Sequence, residues 1–299
     1  MLCKNPYVKR AGLAYGCGQC IPCRISRRRI WAHRIMLEAT QHVHNTFTTL
    51  TYNDENLPRD GGVSPAHLRN FIKRLRIKLQ PVPIRYYVVG EYGDATWRPH
   101  YHGALFGVPN CIHGQTRYGP LYDRGCCTVC NLVRDTWGMG NIYLGSLETA
   151  SASYIASYVT KKLTNKGNAL LKGRHPEFAR MSLKPGIGAD ALHDVASVTL
   201  QYLDGDVDVP TTLRHGPKLQ PLGRYLTRKL RELNGKAPQA PAQTLAKLEA
   251  KVHHLREASE NPTPYGSRSR FKDLLMEEQH GAIKAMEHKH RFYSKRRPL

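Results

Sequence analysis

Trp97-Arg98-Pro99-His100-Tyr101-His102-Gly103-Ala104-Leu105-Phe106 reads as a strand that begins at or just after its proline. Side chains at i and i+2 of an extended strand point to the same face. His100 and His102 therefore project side by side, and Tyr101 turns to the other face. A pair of imidazoles so placed suits a divalent metal, although two strand histidines can also stand without one. The preceding stretch, Ile84 to Tyr92, reads as a second strand, and Gly93 and Asp94 begin a loop. In an antiparallel pair with a connection centred near Ala95 and Thr96, Glu91 falls opposite His100. It could complete a metal site there, or be an exposed hairpin carboxylate.

Outward from this pair, Thr46 to Tyr52 is rich in β-branched and aromatic residues and reads as a strand ended by the turn residues Asn53 to Pro58. Ser64-Pro65 has the character of an N-cap and first helical residue. Leu68, Phe71, Ile72, Leu75 and Leu79 recur at helical spacing behind it. Arg69, Lys73, Arg74, Arg76 and Lys78 occupy the rest of that helix. A basic helix is expected earlier, from about Arg24 to Gln41. Asn141 to Gly145 should be a further strand, followed by a helix from about Glu148 to Leu163. Tyr154 and Tyr158 share one face of that helix, and Lys161 and Lys162 lie one turn beyond Tyr158. Tyrosines at this spacing are more often core residues than nucleophiles. Met181 to Gly188 reads as a tight basic loop. Leu245, Leu248, Val252 and Leu255 suggest one amphipathic helix, and Lys289 to Pro298 has the character of a basic, disordered tail.

Cys17-Gly18-Gln19-Cys20-Ile21-Pro22-Cys23 has zinc-like spacing, and Cys3 could supply a fourth thiolate. Cys111, His113, Cys127 and Cys130 could form a small zinc knuckle, with Cys126 spare. The other reading of both groups is buried small residues. Eight cysteines in a chain that lacks the apolar core of a signal peptide favour thiols or metal ligands over disulfides.

The 299 residues carry 45 Lys and Arg against 23 Asp and Glu, a net charge of +22. That excess fits a polyanion, most simply nucleic acid. An anionic membrane surface competes, but no run is long and apolar enough to span a bilayer. The expected location is a cytoplasm. The P-loop pattern Gly-x-x-x-x-Gly-Lys-Ser/Thr is absent from the sequence, so no ATPase module is expected.

In order along the chain, Cys17 to Cys20, Thr49 to Glu55, Gly90-Glu91-Tyr92-Gly93, Arg98 to His102, the two-tyrosine helix and Met181 to Gly188 resemble the HUH-endonuclease superfamily. More closely, they resemble the rolling-circle replication initiators of Microviridae phages of the gokushovirus type. The resemblance covers roughly the first two-thirds of the chain. It implies an α+β fold of ferredoxin or RRM type, with a central antiparallel sheet and flanking helices, a Cys-containing insertion and a basic C-terminal extension. The expected divisions are 1–44, a nuclease core at 45–204 with the insertion at about 108–135, and 205–299.

The resemblance further implies nicking of the viral origin strand through a 5′-phosphotyrosyl intermediate, and religation. Glu91, His100 and His102 would hold Mg2+ or Mn2+. Tyr154 and Tyr158 would be nucleophiles, Lys161 would assist, and Tyr158 is expected to attack first because the lysines follow it. The implied partners are single-stranded DNA, replicative-form origin DNA, a host helicase and host replication proteins, in the cytoplasm of a bacterial host. A plasmid relaxase or single-strand transposase would share this chemistry. A zinc-stabilised nucleic-acid-binding protein without catalysis would explain the cysteines and charge alone.

Overall fold

Along the central strands, residues alternate between two faces, and helices cover both. The computed structural model describes residues 2–8, 13–93, 95–122, 124–158, 169–202, 207–260 and 270–295. A short ribbon, β1 (Tyr7–Val8) and β2 (Ala14–Tyr15), precedes helix α1 (Ile21–Ala39). Strand β3 (Asn45–Thr51), helix α2 (Pro65–Lys78) and strands β4 (Arg85–Tyr92) and β5 (Pro99–Phe106) follow. Helix α3 (Thr128–Trp137), strand β6 (Ile142–Ser146), helix α4 (Thr149–Tyr158) and strand β7 (Phe178–Met181) come next. The remainder is helix α5 (Leu192–Tyr202), hairpin β8 (Thr212–His215) with β9 (Lys218–Pro221), and helices α6 (Gly223–Leu233), α7 (Ala242–Ala250), α8 (His253–Glu260) and α9 (Phe271–Lys295).

The central sheet has five strands in the order β6-β3-β5-β4-β7, and every neighbouring pair is antiparallel. One face carries Leu50, Val88, Tyr101 and Leu105, packed against Leu68, Phe71 and Leu75 of α2 and Val133 and Trp137 of α3. Full burial of a side chain such as Phe71 or Leu75 contributes roughly 1.5–3 kcal/mol. The opposite face carries Tyr87, Val89, Ala104 and Phe106 against Ile35 of α1 and Ala152, Ile155 and Tyr158 of α4. Odd positions of β4 and even positions of β5 thus face α1 and α4. Glu91, His100 and His102 fall in the same parity. A third core joins Leu37, Leu192 and Ala196 to Leu222, Leu226 and Leu230, and so fastens α6 to α1 and α5.

Local chemistry explains the element ends. The Ser64 hydroxyl accepts from the His67 N–H at 3.3 Å, with Pro65 in the first turn of α2. Gly138 ends α3 in the left-handed region at φ 63°. The sheet turns on a close approach at Gly90. A Cβ there would lie 3.0 Å from the Phe178 ring and 3.2 Å from Tyr101.

Several sequence expectations need correction. The helix expected across Leu245 to Leu255 is two helices, α7 and α8. The expected disordered tail is helical from Lys289 through Lys295, the last residues of α9. Strand β7 and helix α3 were not expected as elements. The part of the tyrosine helix beyond Tyr158, with Lys161 and Lys162, lies outside the described residues. Among the described residues, no helix is long and apolar enough to cross a membrane.

Candidate active site

Antiparallel pairing sets Glu91 of β4 opposite His100 of β5, and Thr49 of β3 opposite His102. Glu91 is buried, with its Oε1 2.8 Å from His100 Nε2 and 3.2 Å from His102 Nε2. The donor atoms of these three residues all lie within 4.8 Å of one another. The far ring nitrogens are held as well. His100 Nδ1 lies 3.0 Å from the Arg98 carbonyl, which can only accept, so Nδ1 carries the proton. A neutral His100 then turns a bare Nε2 lone pair toward the Glu91 carboxylate. His102 Nδ1 is 2.8 Å from the Thr49 hydroxyl, and its ring stacks on Phe47 at 5.9 Å between centroids.

Helix α4 crosses this face and brings both tyrosines to the histidines. The Tyr154 hydroxyl is 3.2 Å from His102 Nε2. The Tyr158 ring stacks on His102, 5.4 Å between centroids and 13° between planes. The two phenol rings meet edge to face at 5.0 Å. Burial, and then the charge of Glu91 and contacts with Tyr154, hold the Tyr158 phenol well above the ordinary tyrosine value. A cavity of about 250 Å³ opens beside Glu91 and Tyr158, with Glu177 and Phe178 on its wall.

All five residues expected from the sequence come together, namely Glu91, His100, His102, Tyr154 and Tyr158. Thr49, Phe47 and the Arg98 carbonyl were not anticipated. Thr49 occupies the position directly across from His102, so strand pairing is the signal that finds it.

The cysteines gather in two further clusters. Cys3, Cys17, Cys20 and Cys23 form the expected group. In the insertion, the group is Cys111, Cys126, Cys127 and Cys130. Cys126, expected to be spare, takes part, whereas the His113 ring packs edge-on against Tyr122, 5.8 Å between centroids.

Comparison with known proteins points to one family. Residues 45–163 match the model of the replication-associated protein ORF2 family. The chain is 39% identical over 189 residues to the replication-associated protein VP4 of Bdellovibrio phage phiMH2K, covering 60% of this chain and 57% of that one. It is 34% identical over 185 residues to the replication-associated protein ORF2 of Spiroplasma virus 4, covering 58% and 55%. It is 29% identical over 160 residues to the replication-associated protein ORF4 of Chlamydia phage 1, covering 52% and 40%. The matches thus span about half the length of these curated relatives. No solved structure matches the chain significantly. The segment 45–163, which holds four strands of the sheet, the Glu91, His100 and His102 cluster and both tyrosines, belongs to the replication-associated protein ORF2 family.

Proposed function

We propose that the chain initiates viral DNA replication by cutting one DNA strand through tyrosine attack and later rejoining it, on a sheet of HUH-endonuclease type. The observation that carries this reading is convergence: two phenols from one helix meet two imidazoles and a carboxylate from two strands.

The donor set fits Mg2+ or Mn2+. A carboxylate oxygen and two Nε2 atoms face one point, and His100 already has its other nitrogen protonated toward a carbonyl. Three protein ligands leave positions for phosphate oxygen and water, and imidazole nitrogen accommodates manganese. Bound there, the ion would act as a Lewis acid on the scissile phosphate.

The chain's own residues do the rest. Thr49 and the Arg98 carbonyl fix the two imidazole rings. Tyr154 presents its oxygen at the edge of the donor set. An ordinary phenol has a pKa of about 10 and must lose its proton to attack. The phenolate oxygen bonds to phosphorus, and the bond to the 3′-oxygen breaks. That oxygen takes a proton from water, leaving a 5′-phosphotyrosyl link and a free 3′-hydroxyl. One phosphodiester replaces another, so rejoining needs no nucleotide hydrolysis, in keeping with a sequence that carries no P-loop pattern. The net charge of +22 suits a single-stranded substrate held by cationic and aromatic groups. Separation of the strands falls to a helicase from the host.

The test is incubation with single-stranded DNA bearing the viral origin, plus manganese, followed by a denaturing gel. A protein–DNA adduct that disappears in the Tyr154→Phe/Tyr158→Phe variant is expected. Metal-dependent cleavage by that variant, or binding without any adduct, would overturn the reading.

A further inference from the structure

The two cysteine clusters lie away from the tyrosines and histidines, and the proposed strand cleavage makes no use of them. In the first, the Cys3 and Cys20 sulfurs are 3.9 Å apart. In the second, Cys111 lies 3.6 Å from Cys126 and 3.9 Å from Cys127. Within each cluster all four sulfurs lie within 4.8 Å of one another. Four sulfurs at about 2.3 Å from a tetrahedral zinc are separated by about 3.8 Å, the edge of that tetrahedron. Disulfide sulfurs would be about 2.05 Å apart, and all eight cysteines are free thiols. An iron–sulfur cluster has a larger core and would spread its thiolates farther.

The surroundings suit thiolates rather than packed thiols. Cys3 Sγ accepts the Cys17 N–H at 3.2 Å, and Cys17 Sγ accepts the N–H groups of Gln19 and Cys20, each at 3.4 Å. Cys126 Sγ accepts the Arg117 N–H at 3.2 Å. Each cluster also sits at the start of a helix. Cys20 is the N-cap of α1 and Cys127 the N-cap of α3, and neither makes a side-chain capping bond. The positive end of each helix favours anionic sulfur. Four thiolates so close repel one another, and a divalent cation removes that repulsion.

We propose that the chain binds two structural zinc ions, one through Cys3, Cys17, Cys20 and Cys23 and one through Cys111, Cys126, Cys127 and Cys130. Four protein ligands leave no open position for substrate, so these ions hold the fold together and do no chemistry. The first clamps residue 3 to the start of α1. Cys3 is also tied to α9, because its N–H donates to Gln279 Oε1 at 3.2 Å. The second clamps the insertion to the start of α3 and so over the edge of the sheet. There the Thr116 N–H donates to the Leu144 carbonyl at 2.9 Å, and the Leu144 N–H donates to the Thr116 hydroxyl at 2.8 Å. Edge strand β6 is thereby shielded from pairing with another chain.

The experiment uses the full chain carrying His100→Ala and His102→Ala, so that the histidine cluster contributes no metal and the two proposals fail separately. Elemental analysis after purification without added metal should give two equivalents of zinc, one per cluster. Cys17→Ser/Cys20→Ser and Cys126→Ser/Cys127→Ser should each lower the content to one. Because such variants can fail to fold, cobalt is also exchanged into the chain with all eight cysteines. An intense thiolate-to-cobalt charge-transfer band with tetrahedral d–d bands is expected. Zinc well below one equivalent, iron in its place, or bound cobalt lacking the thiolate band would overturn the assignment. One equivalent in the parent chain would overturn it at the cluster whose serine variant leaves that equivalent in place.

Discussion

The Tyr154 hydroxyl ends 3.2 Å from Nε2 of His102, while Tyr158, one helical turn along, lays its ring flat on the same imidazole. The two phenols therefore meet the same group in different ways. Tyr154 offers its oxygen to the donor set. Tyr158 is buried, and burial together with the charge of Glu91 keeps its phenol protonated.

That asymmetry predicts a division of labour. The sequence placed Tyr158 first because of Lys161 and Lys162, which lie outside the described residues; the geometry at His102 ranks Tyr154 first. Tyr154→Phe should lower the rate of first adduct formation by more than about 100-fold. Tyr158→Phe should leave the first cut within about tenfold of normal but fail to release closed circles, since a second cut is needed while the first tyrosine still carries DNA. Adduct formation and circle release are read on the same gel series. Normal circle release by either single variant would remove that tyrosine from the scheme.

Thr49 acts through His102. Its hydroxyl holds Nδ1 at 2.8 Å, and Thr49→Val keeps the shape while deleting that bond. Loss of such an orienting partner usually weakens metal affinity or activity by about 10–100-fold. The manganese concentration for half-maximal cleavage should rise accordingly, with unchanged affinity for single-stranded DNA in the absence of metal. An unchanged manganese titration would show that the ring is fixed without Thr49.

Glu38 is fully buried on α1 and ties three segments together. It accepts from Arg85 Nε on β4 and from the Gly188 N–H at 2.7 Å, and His42 Nε2 lies 3.4 Å away. Arg85 also donates to the Pro185 carbonyl at 2.7 Å. Breaking one side of a buried ion pair strands the other charge and costs roughly 3 kcal/mol. Glu38→Gln should lower unfolding stability in urea by about that much. Glu38→Gln with Arg85→Met should lose less than the sum of the single changes, because the stranded charge is then gone. Additive losses would mean that the two residues do not act as a pair.

The parts of this site that could be read from the sequence are those fixed by short-range geometry. His100 and His102 share a face because they are two apart, and Glu91 meets His100 because a short loop sets the register. Tyr154 and Tyr158 share a helix face for the same kind of reason. What escaped reading depends on contacts distant in sequence. Strand β7 is four residues long and pairs Ala179 with Val89, ninety positions earlier. Cys126 rather than His113 joins its cluster because the insertion folds back in a way that ligand spacing does not encode. In α3, Cys130, Val133 and Trp137 do recur at helical spacing, but the cysteine pattern drew the reading toward a loop.

A pH dependence follows from His33, which is buried on α1 and joins it to the β8–β9 hairpin. Its Nδ1 donates to the Pro221 carbonyl at 2.9 Å, so the neutral ring turns a bare Nε2 to His215 Nε2, also at 2.9 Å. Here His215 must donate. Burial lowers the His33 pKa, the Pro221 bond opposes that shift, and the neighbouring His215 adds to it. The folded state therefore binds the proton less readily than the unfolded chain, whose histidine titrates near about 6.5. The stabilisation from neutral His33 is complete above that value. It declines as pH falls below it and stops changing once pH passes the lowered folded value, with a slope of at most about 1.4 kcal/mol per pH unit. Melting curves from about pH 7.5 to 5 should show that decline. His33→Asn, whose amide can still donate to the Pro221 carbonyl, should flatten it. An equal decline in the variant would place the titrating group elsewhere.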